Sequence, residues 1–401
     1  MSIEIRNPSD DEVRAAMRAG EASFGEEPKE DDLERHTKML PRDRFFAAYE
    51  DNRPVGTTAS FPFALTVPGG ELAAGGVTWV GVLPSHRRRG ILRDMMRRQL
   101  DDLHERGEPL AILWASEAAI YGRFGYGIAA PMVGMDADRS RFSFRDDPGP
   151  VGTVRIVDHE EATELLPRVY DKVRREIPGF VARSTDWWVE YRLADPEHWR
   201  RGAGPKFFAV IEIDDEPVAY AIYRIKLDWE DGFSRSQVRL VETLAASPVA
   251  TRELWRFVFG IDLIMRVRGK YDPASPLFLL VTDPRSLQLK VSDGLWLRLV
   301  DVEAALAGRT YEGDDTVVID VSDSFCPWNE GRYRVGKEPG RTEDDAELEI
   351  QSADLASAYL GAFDFRRLEE AGRVRELKTG ALERATNLFR TTRPPFCPDD
   401  F

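Results

Sequence analysis

Cysteine is nearly absent from this chain. Cys326 and Cys397 are the two thiols in 401 residues, which excludes a disulfide-stapled scaffold. Histidine is sparse too: His36, His86, His104, His159 and His198 are scattered, with no His/Cys cluster at metal-ligand spacing, so no metal is expected. No run approaches the roughly 20 continuous apolar residues of a membrane span. The most apolar stretch, 254–265, is broken by Arg256, Gly260 and Asp262. The start, MSIEIRNPSDDEVRAAM, has neither the basic opening nor the apolar stretch of a signal peptide, so a cytoplasmic location is expected. Positive charge is short as well: 55 Lys and Arg against 70 Asp and Glu give a net charge of −15. Such a surface repels nucleic acid and favours cationic partners.

What is present is a globular composition, 42% hydrophobic and 31% charged. The length exceeds one compact core, so two or three domains are expected. We read three, at 1–145, 150–293 and 294–401, with a charged Pro/Gly-containing linker at 146–152. The second opens with a strand at 154–157. The third opens with a strand at 295–300 and a short helix at 302–307 stopped by Gly308. Strands follow at 317–321, 331–335 and 347–350, with a polar loop at 336–345. The tail RTTRPPFCPDDF holds three prolines and is expected to be extended and stiff. There is also an internal echo. VTWVGVLP at 77–84 resembles VRLVETLA at 238–245, and a helical pattern follows each. The second copy lacks the arginine-glycine turn of the first.

That turn carries the chemistry. Residues 77–126 read VTWVGVLPSHRRRGILRDMMRRQLDDLHERGEPLAILWASEAAIYGRFGY. The pattern is a strand, a basic turn with one glycine, and a helix with apolar positions Ile91, Leu92, Met95, Met96, Leu100 and Leu103. A second strand follows at 110–114. Arg87, Arg88, Arg89 and Gly90 therefore sit at a helix N-terminus. There, unpaired N–H groups and the helix dipole bind phosphate oxygens, and Gly90 permits close backbone approach. A bare cluster of cations at that end opposes the dipole, so an anionic ligand is expected. The P-loop and Gly-x-Gly-x-x-Gly fingerprints are absent at this strand end.

Arg-x-x-Gly-x-apolar after a Val-x-Val strand resembles the acetyl-CoA signature of the GNAT acetyltransferase superfamily. Leu92 stands where that signature usually has Gly or Ala. The resemblance implies that Val80, Val82 and Leu83 meet the coenzyme's acetyl and pantetheine groups. It implies that Arg87, Arg88, Arg89, Gly90, Ile91, Leu92 and Arg93 wrap its pyrophosphate. Ser116, Glu117 and Tyr121, on the next strand-to-helix segment, join the same site. Tyr121 and Tyr126 compete for the proton donor that such enzymes place near the coenzyme sulfur; each is otherwise a packing aromatic.

HRRRGILR, ASEAAIYGRFGYG and GLWLRLVDV together resemble the Eis (enhanced intracellular survival) N-acetyltransferase family. That resemblance implies an α+β chain of two tandem GNAT acetyltransferase-fold domains, the second degenerate, and a C-terminal sterol-carrier-protein-like α/β domain, assembled as a homohexamer. It implies acetyl-CoA-dependent, multi-site acetylation of aminoglycosides and other cationic amines, lysine or arylalkylamine acceptors included. It assigns Tyr126 as general acid and the terminal carboxylate of Phe401 as general base. Phe24, Glu26, His36 and Asp400 are expected at the substrate. His36 replaces an aromatic common in the family, which implies an altered substrate range. The residues alone also allow a non-catalytic ligand-binding protein with a vestigial coenzyme site. They leave open a longer acyl donor.

Overall fold

The run LAILW forms a strand, Leu110–Trp114, and the amphipathic stretch after Gly90 forms the helix Ile91–Glu105. The computed structural model describes residues 3–401. The chain folds as two compact units, one of residues up to Ala130 together with Gly294–Phe401, the other Pro131–Asp293.

The first unit holds β1 (Glu4–Arg6), α1 (Val13–Ser23), α2 (Glu30–Met39), β2 (Phe45–Glu50), β3 (Arg53–Val67), β4 (Gly70–Val82), α3 (Ile91–Glu105), β5 (Leu110–Trp114) and α4 (Ala118–Tyr121). The strands β1 to β5 neighbour one another in chain order. They are antiparallel except for β4 and β5, which run parallel. Residues 295–299 then pair antiparallel with β5. The helix α3 buries Ile91, Met95, Met96, Leu100 and Leu103 against this sheet, each worth roughly 1.5–3 kcal/mol. It ends as the chain reaches Gly107 at φ +71°, a left-handed turn that glycine adopts freely.

The second unit repeats the plan. Ser236–Ala245 runs parallel to Ile264–Tyr271 and antiparallel to Glu216–Lys226, with the helix Pro248–Gly260 between the parallel strands. Phe207–Ile213 and Thr153–Val157 extend the sheet. Residues 133–138 close it by pairing with Ile264–Tyr271. Two strands thus fall differently from the sequence reading. Residues 131–138 belong to the second unit's sheet, beyond which our first domain was drawn to 145. The strand at 295–300, read as opening the third domain, joins the first sheet instead. The reason is visible in GLWLRL: residues 294–299 are all buried. A strand apolar on both faces fits the middle of a covered sheet.

The third domain forms its own sheet in the first unit. Thr316–Ser322 is central, antiparallel to Gly331–Gly336 and parallel to Leu348–Gln351. The loop expected at 336–345 carries a two-residue strand, Gly340–Arg341. The proline-rich tail is non-helical as expected, and residues 395–399 are buried.

Candidate active site

The strand β4 is pulled out of register against β3. Thr78 faces Ala59 and Gly81 faces Thr57, so Trp79 and Val80 share one partner position. This is a β-bulge, with Trp79 at φ +49°. Side chains pin it from both ends. Thr57 Oγ1 donates to the Trp79 carbonyl at 2.8 Å. Gln99 of α3 donates to the Ala59 carbonyl at 2.9 Å and accepts from Thr58 Oγ1 at 2.7 Å.

The strands β4 and β5 part company just before the bulge. Their pairing covers Ala74–Gly76 against Leu110–Ile112 and stops there. Past that point Val80, Gly81 and Val82 on one side, and Ser116, Glu117 and Tyr121 on the other, line a cavity of about 970 Å³. Arg87, Arg88, Gly90, Ile91, Leu92 and Arg93 line it from the start of α3, and Phe24 from the end of α1. Gly90, at φ +86°, is the N-cap residue of α3, and no side chain caps the helix. The first-turn N–H groups therefore have no intrahelical partner. They sit beside arginines at the positive end of the dipole, an arrangement that binds phosphate. The opposite wall carries apolar Ile120, Phe124 and Phe325 beside the charged Glu117 and Arg123. A pyrophosphate joined to a long, less polar arm fits both ends. Among the described residues, no three His, Cys, Asp or Glu side chains are grouped to hold a metal.

Two residues expected at the coenzyme lie elsewhere. Arg89 forms an ion pair with Glu50, which also bonds His86 Nε2 at 2.9 Å. Its charge is already matched, and it is not on the cavity wall. Leu83 packs beside the buried group of Ala48, Val55, Ile91 and Met95, while its N–H bonds the Val55 carbonyl.

Tyr121 and Tyr126 meet edge to face, ring centroids 5.9 Å apart. Tyr121 lines the cavity, its hydroxyl hydrogen-bonded to Ser116, and burial pushes its pKa up to about 12. Tyr126 lies behind the wall, 1% exposed, in a cluster with Phe124, Trp296, Phe325 and Cys326. Its hydroxyl has no hydrogen-bond partner among the described residues. Burial holds that phenol well above the ordinary tyrosine range, while the nearby Arg298 charge opposes the shift.

Phe401 lies on the other face of the sheet. Val77 faces α3 in the Tyr126 cluster, so the adjacent Gly76 faces away from it. A Cβ on Gly76 would approach Phe63 and, at 3.4 Å, the Phe401 ring. The Phe401 and Phe63 rings are 5.1 Å apart. Phe401 thus sits where β4 and β5 separate. Asp400 beside it is exposed.

Glu26 is exposed on the turn after α1. With Asp32 it raises the Glu21 carboxyl, which burial has already pushed up and to which the Trp79 indole hydrogen-bonds. His36 packs edge-on against Trp79 at 4.5 Å. Burial holds its pKa down at about 4, so it is neutral at pH 7. The bulge residue Trp79 therefore joins His36 to this acidic group.

Comparison with known proteins agrees with this geometry. The acetyltransferase (GNAT) domain family matches residues 4–129, a second GNAT family matches 179–299, and the sterol carrier protein domain family matches 302–398. An uncharacterized N-acetyltransferase of Streptomyces avermitilis is 42% identical, covering 90% of both chains. The N-acetyltransferase Eis of Mycobacterium bovis is 31% identical over 98% of both. The crystal structure of Eis1 from Mycobacterium abscessus superposes with a TM-score of 0.87 at 33% identity, covering each chain fully. The chain belongs to the Eis family of GNAT N-acetyltransferases. It is an N-acetyltransferase with two GNAT domains and a sterol-carrier-type third domain, and the non-catalytic alternative is set aside. The GNAT fold implies a coenzyme A thioester as co-substrate.

For this Eis-family chain, the sequence reading missed three parts of the site. Phe325 reaches the cavity from the third domain, and no local pattern announces that. Gln99 stands outside the apolar pattern of α3, yet it is buried and holds the bulge. Arg298 had a signal: it is the lone charge in an otherwise apolar run, GLWLRLV.

Proposed function

We propose that this enzyme transfers acetyl groups from acetyl-CoA to amines of cationic small molecules, aminoglycoside-like and at several positions, with lysine or arylalkylamine acceptors also in range. The observation that carries the reading is the parting of β4 and β5 after Gly76, with an uncapped, arginine-flanked helix start on one side and the C-terminus at the gap. Val80 and Val82 border the acetyl end, and Arg87, Arg88 and Arg93 hold the pyrophosphate with the first-turn N–H groups of α3. When bound, the thioester supplies the acetyl group. Tyr126 gives its proton to the departing sulfur, and the Phe401 carboxylate takes one from the acceptor nitrogen. The two groups belong to opposite faces of the sheet, so donor and acceptor meet through the gap.

An amine is mostly protonated at pH 7, and a terminal carboxylate ordinarily titrates near ~3.5. That carboxylate therefore binds the ammonium first; the nitrogen sheds one proton to solvent to become a nucleophile, and the carboxylate accepts the second as the nitrogen bonds to carbon. Phe24, Glu26, His36 and Asp400 form the acceptor's approach, with Glu21 and Asp32 adding negative charge. We further propose a homohexamer in the cytoplasm. Exposed Leu227, Trp229 and Phe233 on a short hairpin supply apolar surface for self-association.

Thiol release with acetyl-CoA and a panel of aminoglycosides, lysine peptides and arylalkylamines, read with product mass, tests the reading. Tyr126→Phe is expected to lower turnover by ~100-fold or more with coenzyme binding retained. Extension of the chain beyond Phe401 is expected to abolish transfer. Damage from Tyr121→Phe in place of Tyr126→Phe would reassign the acid. No turnover with any acceptor would overturn the proposal.

A further inference from the structure

We propose that Arg298 is a positioning residue for the Tyr126 proton donor, held in place by Asp323 and Ser352 of the third domain. This rests on the reading of Tyr126 as general acid. Arg298 is fully buried. One end of its guanidinium donates to Ser352 Oγ at 2.6 Å and to the Gly125 carbonyl at 3.4 Å. The other end donates to Asp323. Asp323 in turn accepts from the Cys326 N–H and from Asn329, each at 3.0 Å. The guanidinium is therefore fixed from several sides.

It is also fixed against the residue that precedes the tyrosine. A Cβ on Gly125, the residue before Tyr126, would come within 1.8 Å of Arg298 Nη1. Gly125 at φ +81° is thus glycine for conformation and for space. Two buried polar atoms here have no hydrogen-bond partner among the described residues, the Tyr126 hydroxyl and Arg298 Nε. The ionisable groups acting on Tyr126 are Arg298, Tyr121 and Cys326, and of these Arg298 alone favours the ionised phenol.

A buried ion pair such as Arg298–Asp323 is weak evidence for stability, because desolvation offsets much of the attraction. It has a clear use in proton transfer. When Tyr126 gives up its proton, negative charge develops on the phenol oxygen in a dry aromatic cluster, which is costly. A guanidinium already in place offsets that cost without reorganising. The proton that the acceptor amine releases through the terminal carboxylate to solvent is matched by the one solvent returns to the phenol. The third domain thereby takes part in acetyl transfer through Arg298.

The test is a double-mutant cycle on the full chain with Arg298→Met, Tyr126→Phe and the pair, together with Arg298→Lys. Turnover is read by thiol release and coenzyme A binding by calorimetry. A fluorinated tyrosine at position 126, whose phenol ionises at lower pH, is followed by fluorine NMR. Arg298→Met should lower kcat ~10-fold with coenzyme Kd unchanged, and Arg298→Lys should recover most of the loss. The pair should be no slower than Tyr126→Phe alone. The fluorinated phenol should ionise ~1 pH unit higher in Arg298→Met. If Arg298→Met does not fold, Ser352→Ala takes its place in the cycle with a smaller loss and the same non-additivity. Additive losses, or an unmoved ionisation, would overturn the proposal while leaving Tyr126 as the acid. Parent-level turnover in Tyr126→Phe would overturn both.

Discussion

The two GNAT domains begin from one plan and treat the same place in opposite ways. Each has a bulged strand leading to a helix. In the first, Trp79 and Val80 share a partner position; in the second, the register slips between Leu240 and Glu242. These positions coincide in the repeat VTWVGVLP/VRLVETLA, so both domains place a bulge at the same point of the pattern. The differences lie around it. The residue after the first bulge is Gly81, which opens onto the cavity. Its counterpart Glu242 is buried and bonded to Arg183 and Tyr220 at 3.0 and 2.6 Å. The first helix starts at an uncapped Gly90. The second starts at Ser247, whose side chain accepts from the Ala250 N–H, with Pro248 at the first helical position lacking an N–H altogether. A binding site is thus a set of groups left unsatisfied, and the second domain has satisfied its own.

The largest effect that sharpens this contrast is expected in the second domain. Glu242→Gln leaves Arg183 buried without its carboxylate and should cost about 3–5 kcal/mol in denaturant unfolding. Coenzyme affinity should be untouched, since no coenzyme group is involved; a weakened Kd would show that the second domain takes part in binding. Next, reversing charge in the first domain with Arg87→Glu and Arg88→Glu should weaken coenzyme A binding by ~100-fold or more in calorimetry, with circular dichroism unchanged. Binding at parent strength would break the comparison.

A smaller effect comes from His36. Its folded pKa of about 4 lies below the ordinary 6.5, so between those values the unfolded chain binds the proton more readily. Stability is fully present above pH 6.5 and lost as pH falls towards 4, on the order of 3 kcal/mol. His36→Phe should flatten that limb of the thermal midpoint against pH; an unaltered limb would show that the histidine is not the cause. Smallest is Ser247→Ala, which removes a cap worth ~1 kcal/mol and should leave turnover unchanged in the thiol-release assay.

Local patterns were legible wherever one stretch of chain carries them. The glycine-arginine turn was legible as a helix start, because helix starts are written in consecutive residues, and Arg87, Arg88, Gly90 and Arg93 line the cavity there. Leu110–Trp114 and Val302–Ala307 formed within the expected bounds. Arg89 misled because its neighbours in the turn suggested a shared ligand, while Glu50, 39 positions earlier, takes its charge. The fate of residues 295–299 was hidden for the same reason: apolar alternation identifies a strand but not the sheet it joins. The motif IYGRFGYG read as coenzyme chemistry or as local aromatic packing around its glycines. In the fold its glycines also admit the third domain, since a Cβ on Gly127 would meet the Ala353 carbonyl at 1.9 Å. Tertiary contacts at that separation leave no periodicity to read.

The central claim is that one GNAT domain of the pair retains a coenzyme site and the other has closed its own. Calorimetric titration of the full chain with coenzyme A tests it most directly. The account predicts one site per chain, lost in the Arg87→Glu, Arg88→Glu variant and unchanged in Glu242→Gln. Two sites per chain, or one that survives the arginine reversal, would contradict it.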